Sequence, residues 1–158
     1  MRETKSNSQI INELVDRFDT IPDAPLSQYT SFQVGGRTPA LIQCRTLNEL
    51  IETIRYLNQK QQSFLVVGQG TNLLVSDKGV KQIIVRFCNE EASSIKQTEN
   101  IITVGGEMLL DKLVIRSLEL GLGDLGYLSG IPGTVGGAIV GNAGAFGEQI
   151  GDVLQRAE

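Results

Sequence analysis

Leu125-Gly-Tyr-Leu-Ser-Gly-Ile-Pro-Gly-Thr-Val-Gly-Gly-Ala-Ile-Val-Gly-Asn-Ala-Gly-Ala-Phe-Gly147 holds 8 of the 18 glycines of this 158-residue chain and no charged side chain. Each glycine gives up extra backbone entropy on ordering, so an ordered segment of this composition needs a compensating interaction. A bound ligand supplies one. Glycines let the backbone approach a molecule closely and turn successive N–H groups into one concavity, which suits a diphosphate even without Lys or Arg.

Three other readings compete. The uncharged run is long enough for a transmembrane helix, but its glycines together with Ser129, Pro132, Thr134 and Asn142 argue against one. The spacing Gly133, Gly137, Gly141 matches a small-xxx-small helix motif, which carries information only inside an apolar span. A flexible linker conflicts with Ile131, Val135, Ile139, Val140 and Phe146, which are too apolar for a solvated tether. A glycine-rich core without a ligand stays open on spacing alone.

The length corresponds to one domain or two small lobes, enough to bury about two thirds of the unfolded surface. A net charge of −4 without any Lys/Arg cluster disfavours nucleic-acid partners. Met1 to Ser8 is polar with no apolar run behind it, so no secretory signal or membrane anchor is expected and the expected location is cytoplasmic. Cys44 and Cys88 are far apart beside apolar runs, where reduced thiols act as small hydrophobes. The absence of histidine removes His-based triads, His metal sites and His-linked covalent cofactors. With two cysteines and no Cys-x-x-Cys, no metal site is expected, and any chemistry requires a borrowed reagent.

Along the chain, Ile10, Ile11, Leu14, Val15 and Phe18 lie at helical spacing and predict an amphipathic helix over 8–18 that ends before Pro22. Asp23 to Pro25 reads as an irregular lead-in. Tyr29 to Val34 is a β-prone run closed by Gly35-Gly36, and Pro39 to Cys44 a second strand. Thr46 and Glu49 form a capping box ahead of a helix running to about Lys60. Phe64 to Gly68 reads as a buried strand, followed by Gln69-Gly-Thr-Asn72 and a β-prone Leu73-Leu-Val75. The Gly68-x-Gly70 pair does not make a Rossmann site, because Leu73 replaces the third glycine and no helical pattern follows. A tight Gly-x-Gly-Thr-Asn turn still presents amides suited to phosphate, a weak signal by itself. Gln82 to Phe87 and Ile101 to Val104 are further strands, with a polar surface connection over 89–100. Glu107 to Leu120 is a helix closed by Gly121. The mixture of strands and helices is α/β (α+β), without internal repeats.

Three segments can now be read jointly: Thr30-Ser-Phe-Gln-Val-Gly-Gly36, Val67-Gly-Gln-Gly-Thr-Asn-Leu-Leu-Val75, and Ser129-Gly-Ile-Pro-Gly-Thr-Val-Gly-Gly-Ala138 with Asn142-Ala-Gly-Ala-Phe-Gly147. In this order they resemble the UDP-N-acetylenolpyruvylglucosamine reductase (UDP-N-acetylmuramate dehydrogenase) family, over roughly residues 25 to 152. The third segment is the specific one. The resemblance implies a two-lobed FAD-binding domain of the vanillyl-alcohol oxidase/PCMH type over 25–158, with lobes of about 25–88 and 89–158, after an N-terminal helix and lead-in over 1–24. It implies noncovalent FAD, with Gly68, Gln69, Gly70, Thr71, Asn72 and Leu73 around its pyrophosphate. Ser129, Gly130, Ile131, Pro132, Gly133, Thr134, Gly136 and Gly137, with Asn142, Ala143, Gly144 and Ala145, would line the pyrophosphate and the flavin edge.

By the same resemblance, NADPH is the reductant, and hydride passes through FAD to an enolpyruvyl double bond while a serine protonates the adjacent carbon, giving UDP-N-acetylmuramate. The family's Tyr-Arg-x-x-Ser segment, its proton-donating serine and its late glutamate fall beyond Glu158. No catalytic residue is therefore assigned in this chain, and a C-terminal substrate-binding domain that takes the UDP-sugar would have to be supplied separately. Gly126, where the family often has Glu, and Phe146, where Tyr is common, depart from the pattern. The alternative is a stand-alone FAD-binding protein, non-catalytic or a slow NAD(P)H oxidase.

Overall fold

The computed structural model describes residues 7–88 and 95–158, and the chain divides into two compact units, Met1–Asn89 and Glu90–Glu158. In the first unit the expected amphipathic helix is present as Asn7–Arg17 (α1). Thr20–Pro25, expected to be irregular, is a strand (β1). It runs antiparallel to Arg37–Cys44 (β2), with Pro22 opposite Ala40. β1 lies at the edge of its sheet, where a strand tolerates proline because a missing N–H need not cost a ladder bond.

Thr46 and Glu49 close the capping box of Leu47–Gln59 (α2): the Glu49 N–H donates to Thr46 Oγ1 and the Thr46 N–H to Glu49 Oε2, both at 3.2 Å. Phe64–Val67 (β3) and Ile83–Phe87 (β4) complete a sheet of order β1-β2-β4-β3, in which β4 is parallel to both neighbours. β3 is an edge strand rather than the buried strand expected, with Leu65 and Val66 48% and 50% exposed.

Alternation along β2 and β4 gives this sheet two apolar faces. Ala40, Ile42, Cys44, Ile83 and Val85 pack against Ile10 and Leu14 of α1 and Leu57 of α2. The two helices are also joined through Glu13, whose Oε2 accepts from the Tyr56 hydroxyl at 2.7 Å and lies 3.1 Å from Lys60 Nζ. The opposite face, Leu41 and Ile84, is covered by Leu26 of a 3₁₀ turn, Leu26–Gln28, and by Tyr29, Val75 and Val80 from loops. Tyr29 to Val34 and Leu73 to Val75 are thus loop segments and not strands. Their β-prone residues reflect packing on a sheet face, the same demand that enriches such residues in strands.

In the second unit Lys96–Thr98 (β5) and Ile101–Thr103 (β6) form an antiparallel hairpin; positions 89–94 of the expected surface connection lie outside the described residues. The helix expected from Glu107 begins at Leu110 and runs to Glu119 (α3), because Leu109 stays extended and bridges Thr134. Gly121 follows it at φ +73°, the left-handed position that ends many helices.

The glycine stretch and the residues that flank it hold elements that its composition did not announce. These are 3₁₀ turns at Gly123–Leu128 and Ile150–Asp152, a short helix Val135–Val140 (α4), and a tight hairpin of Gly144–Ala145 (β7) with Glu148–Gln149 (β8). Leu128, Val135 and Ala138 from this stretch meet Ile150 just beyond it and Leu110, Leu113 and Val114 of α3 in one core. Part of the glycine segment is therefore structural. Among the described residues no helix is long and apolar enough to cross a membrane, and no group of three His, Cys, Asp or Glu side chains could hold a metal.

Candidate functional site

The turn Gly68 to Leu73 leaves the C-terminal end of β3, and no helix follows before β4. It is anchored from behind by the segment Tyr29 to Gly36. The Ser31 N–H donates to the Gly70 carbonyl at 3.2 Å, and farther along the loop the Gly36 N–H donates to the Ser76 carbonyl at 2.9 Å. The first two motifs read in the sequence are thus neighbours in the fold. Gly70 is buried at φ +69°, and a Cβ there would lie 2.2 Å from the Tyr29 carbonyl oxygen. Its lack of a side chain is demanded by the protein's own backbone.

The front of the turn is different. Gln69, Asn72 and Leu73 are exposed, and among the described residues the N–H groups of Gln69, Gly70, Asn72 and Leu73 donate to no backbone carbonyl outside the regular elements. A cluster of such donors at the C-terminal edge of parallel strands can receive an anion, and that edge is where open parallel sheets place ligands.

The second predicted segment uses more of its donors internally. The Val135 N–H donates to the Met108 carbonyl at 2.8 Å, the Gly136 N–H to the Gly106 carbonyl at 2.7 Å, and the Gly137 N–H to Thr134 Oγ1 at 3.2 Å. A Cβ on Gly136 would come 3.0 Å from the Gly106 oxygen, so this glycine permits close backbone packing. Gly130, at φ +77°, has nothing within 4 Å of where its Cβ would be, and its N–H is held by Asp111 Oδ1 at 3.2 Å. Gly133, at φ +128°, precedes the Thr134 that caps α4. Ser129, Gly130 and Pro132 are exposed, and Ile131 and Gly133 are half-buried.

Asn142 sits at φ +45° with its side chain fully engaged. Nδ2 donates to Gln149 Oε1 at 2.7 Å, and Oδ1 accepts from the Gly151 N–H at 3.1 Å. Together with Gly144, Ala145, Gly147, Glu148 and Gln149 it lines a shallow cleft of about 290 Å³. The Ala143 N–H is spent on the Ala138 carbonyl at 2.8 Å. The two predicted clusters thus fall in separate units, residues 68–73 in one and 129–145 in the other.

Among comparisons with known proteins, a profile described as FAD binding domain matches residues 38–158. The chain belongs to the FAD-binding domain family. The exposed, donor-rich turn after β3 suits the diphosphate of such a ligand, since the N–H groups of Gln69, Gly70, Asn72 and Leu73 have no backbone acceptor outside the regular elements among the described residues. Among relatives, UDP-N-acetylenolpyruvoylglucosamine reductases from Carboxydothermus hydrogenoformans and Caldanaerobacter subterraneus are each 38% identical, over 94% and 85% of this chain. The matches cover 50% and 44% of those proteins, so the chain spans about half the length of the curated relatives it matches.

The crystal structure of the Thermus caldophilus reductase superposes with a TM-score of 0.64 at 32% identity, covering 86% of this chain and 46% of that one. A cholesterol oxidase from Brevibacterium sterolicum shares the fold at a TM-score of 0.56 and 11% identity, covering 82% of this chain and 25% of the oxidase. This FAD-binding domain is accordingly α+β and of the vanillyl-alcohol oxidase/PCMH type. Two features of its candidate site had no sequence signal of their own: the backing of the turn by Tyr29 and Ser31, and the hold of Asp111 on the Gly130 amide.

Proposed function

We propose that this domain is the FAD-binding portion of a UDP-N-acetylenolpyruvoylglucosamine reductase, which reduces UDP-N-acetylglucosamine enolpyruvate to UDP-N-acetylmuramate with NADPH during peptidoglycan precursor synthesis in the cytoplasm. The observation that carries the reading is the donor-rich turn after β3, in a chain that is 38% identical to a reductase over 94% of its length. In this reading residues 1–24 are an N-terminal helix and lead-in and 25–158 the binding domain, with lobes of about 25–88 and 89–158.

FAD, held noncovalently, supplies the hydride-transfer chemistry when bound. The residues of this chain bind and orient it. Gly68, Gln69, Gly70, Thr71, Asn72 and Leu73 offer N–H groups to the diphosphate. Ser129, Gly130, Ile131, Pro132, Gly133, Thr134, Gly136 and Gly137 give an uncharged wall, and Asn142, Ala143, Gly144 and Ala145 a second one beside the cleft. The UDP-sugar and its proton donor belong to a substrate-binding portion outside these residues.

The test is a visible absorption spectrum of the purified chain, with the cofactor released by heat and NADPH added without oxygen. A flavin band that releases as FAD and bleaches with NADPH is expected. A colourless protein that ignores added FAD would overturn the reading.

A further inference from the structure

The candidate turn is rich in N–H donors but contains no basic residue, and neither does the stretch from Leu125 to Gly147. A diphosphate brings two negative charges, which neutral amides solvate without neutralising. A basic residue stands beside the turn in the sheet: Arg86 on β4, in register with Val67, the residue immediately before Gly68. Alternation places its side chain on the face that carries Ile84, below the loops that include Tyr29. Its guanidinium carbon lies 5.6 Å from the centre of the Tyr29 ring, and the Tyr29 carbonyl is what Gly70 packs against. Arg86, Tyr29 and the turn are therefore connected through one contact each.

Arg86 is left incomplete by its surroundings. Among the described residues its buried Nε has no hydrogen-bond partner, and it takes part in none of the ion pairs. Arg86 as a whole is half-buried and its guanidinium has no counter-charge among the described residues. An anion arriving at the adjacent turn would supply one.

We infer that Arg86 is a cofactor-binding residue whose guanidinium supplies the positive charge for the diphosphate held by the Gly68 to Leu73 turn. The inference rests on the FAD reading above and adds a residue that lies outside every glycine motif. Its signature is discrimination between flavins, because riboflavin has the isoalloxazine ring but no phosphate.

The experiment titrates the full chain, and the variants Arg86→Met and Arg86→Lys, with FAD and with riboflavin by flavin fluorescence, alongside thermal melts. Arg86→Met is expected to weaken FAD at least about tenfold and leave riboflavin within about twofold. Arg86→Lys keeps the charge without the planar fork, so it should lose about threefold for FAD alone. A purely structural role for Arg86 would lower the melting temperature without moving the FAD-to-riboflavin ratio. That ratio unchanged in either folded variant overturns the inference, while wild-type chain that fails to bind FAD overturns the FAD reading itself and this inference with it.

Discussion

Gly70 and Gly130 look alike in the sequence, each a glycine in a glycine-rich turn, and their surroundings separate them. Both have positive φ, so any other residue incurs about 1–2 kcal/mol of backbone strain. At Gly70 a Cβ would also run into the Tyr29 carbonyl at 2.2 Å, whereas at Gly130 it meets nothing within 4 Å. Gly70→Ala should therefore destabilise the fold by about 3 kcal/mol or more, read as a fall in melting temperature. Gly130→Ala should stay within the strain cost, so a loss of FAD affinity in that variant reports on the ligand and not on folding. Equal melting temperatures for the two would contradict the difference in packing. Glycine spacing alone could not tell these roles apart, because what decides them is the backbone on the other side of the turn. Arg86 and Asp111 were harder still to read. A single charged residue in a strand or helix carries no local pattern, and only the register with Val67 and the hydrogen bond to Gly130 give each a place.

Elements whose signals are local were legible. The spacing of α1 and the capping box of α2 are contained within a few residues, and both helices begin and end close to where those signals lie. The misread segments depend on distant partners. β1 carries two prolines and becomes a strand only because β2 pairs with it at an edge. Leu73 to Val75 has strand composition, yet Val75 packs on the sheet face from a loop. α4 is six residues long with two glycines, and it is held by the Thr134 cap and by Val135 and Ala138 in the core, not by helix propensity. At this scale the capping box gives a clean prediction. Thr46→Ala removes one reciprocal bond of the cap at an exposed site and should cost about 1 kcal/mol, a fall of about 2–4 °C for a chain of this size. FAD affinity should not change. A loss above about 3 kcal/mol in a denaturant titration would show that Thr46 holds more than the helix start.

Taken as a whole, the chain joins two units that each bury one group with a raised pKa. In the first, burial pushes the Cys44 thiol above its usual 9.0, with the contact to Thr53 opposing the shift. In the second, burial pushes the Tyr127 hydroxyl above its usual 10.0, helped by the nearby carboxylates Glu148 and Asp152. Both groups are neutral in the folded chain at pH 7. On unfolding they would ionise at lower pH than in the native state, so their contribution to stability is complete below about pH 9 and is lost as pH rises through the folded values. Melting temperature should accordingly hold steady from pH 7 to about pH 8.5 and decline above that. Tyr127 adds a second effect, because its buried hydroxyl has no hydrogen-bond partner among the described residues. Tyr127→Phe deletes a desolvated group that gains nothing in return, and should stabilise the chain by about 1 kcal/mol at neutral pH while removing part of the alkaline decline. Cys44→Ala should remove another part, at the cost of a small cavity worth about 1–2 kcal/mol at all pH values. Melts of the wild type and the two variants at pH 7, 9 and 10 separate these effects. An alkaline decline of unchanged slope in both variants would mean that other groups govern it, and a lower melting temperature for Tyr127→Phe at pH 7 would mean that its hydroxyl is satisfied after all.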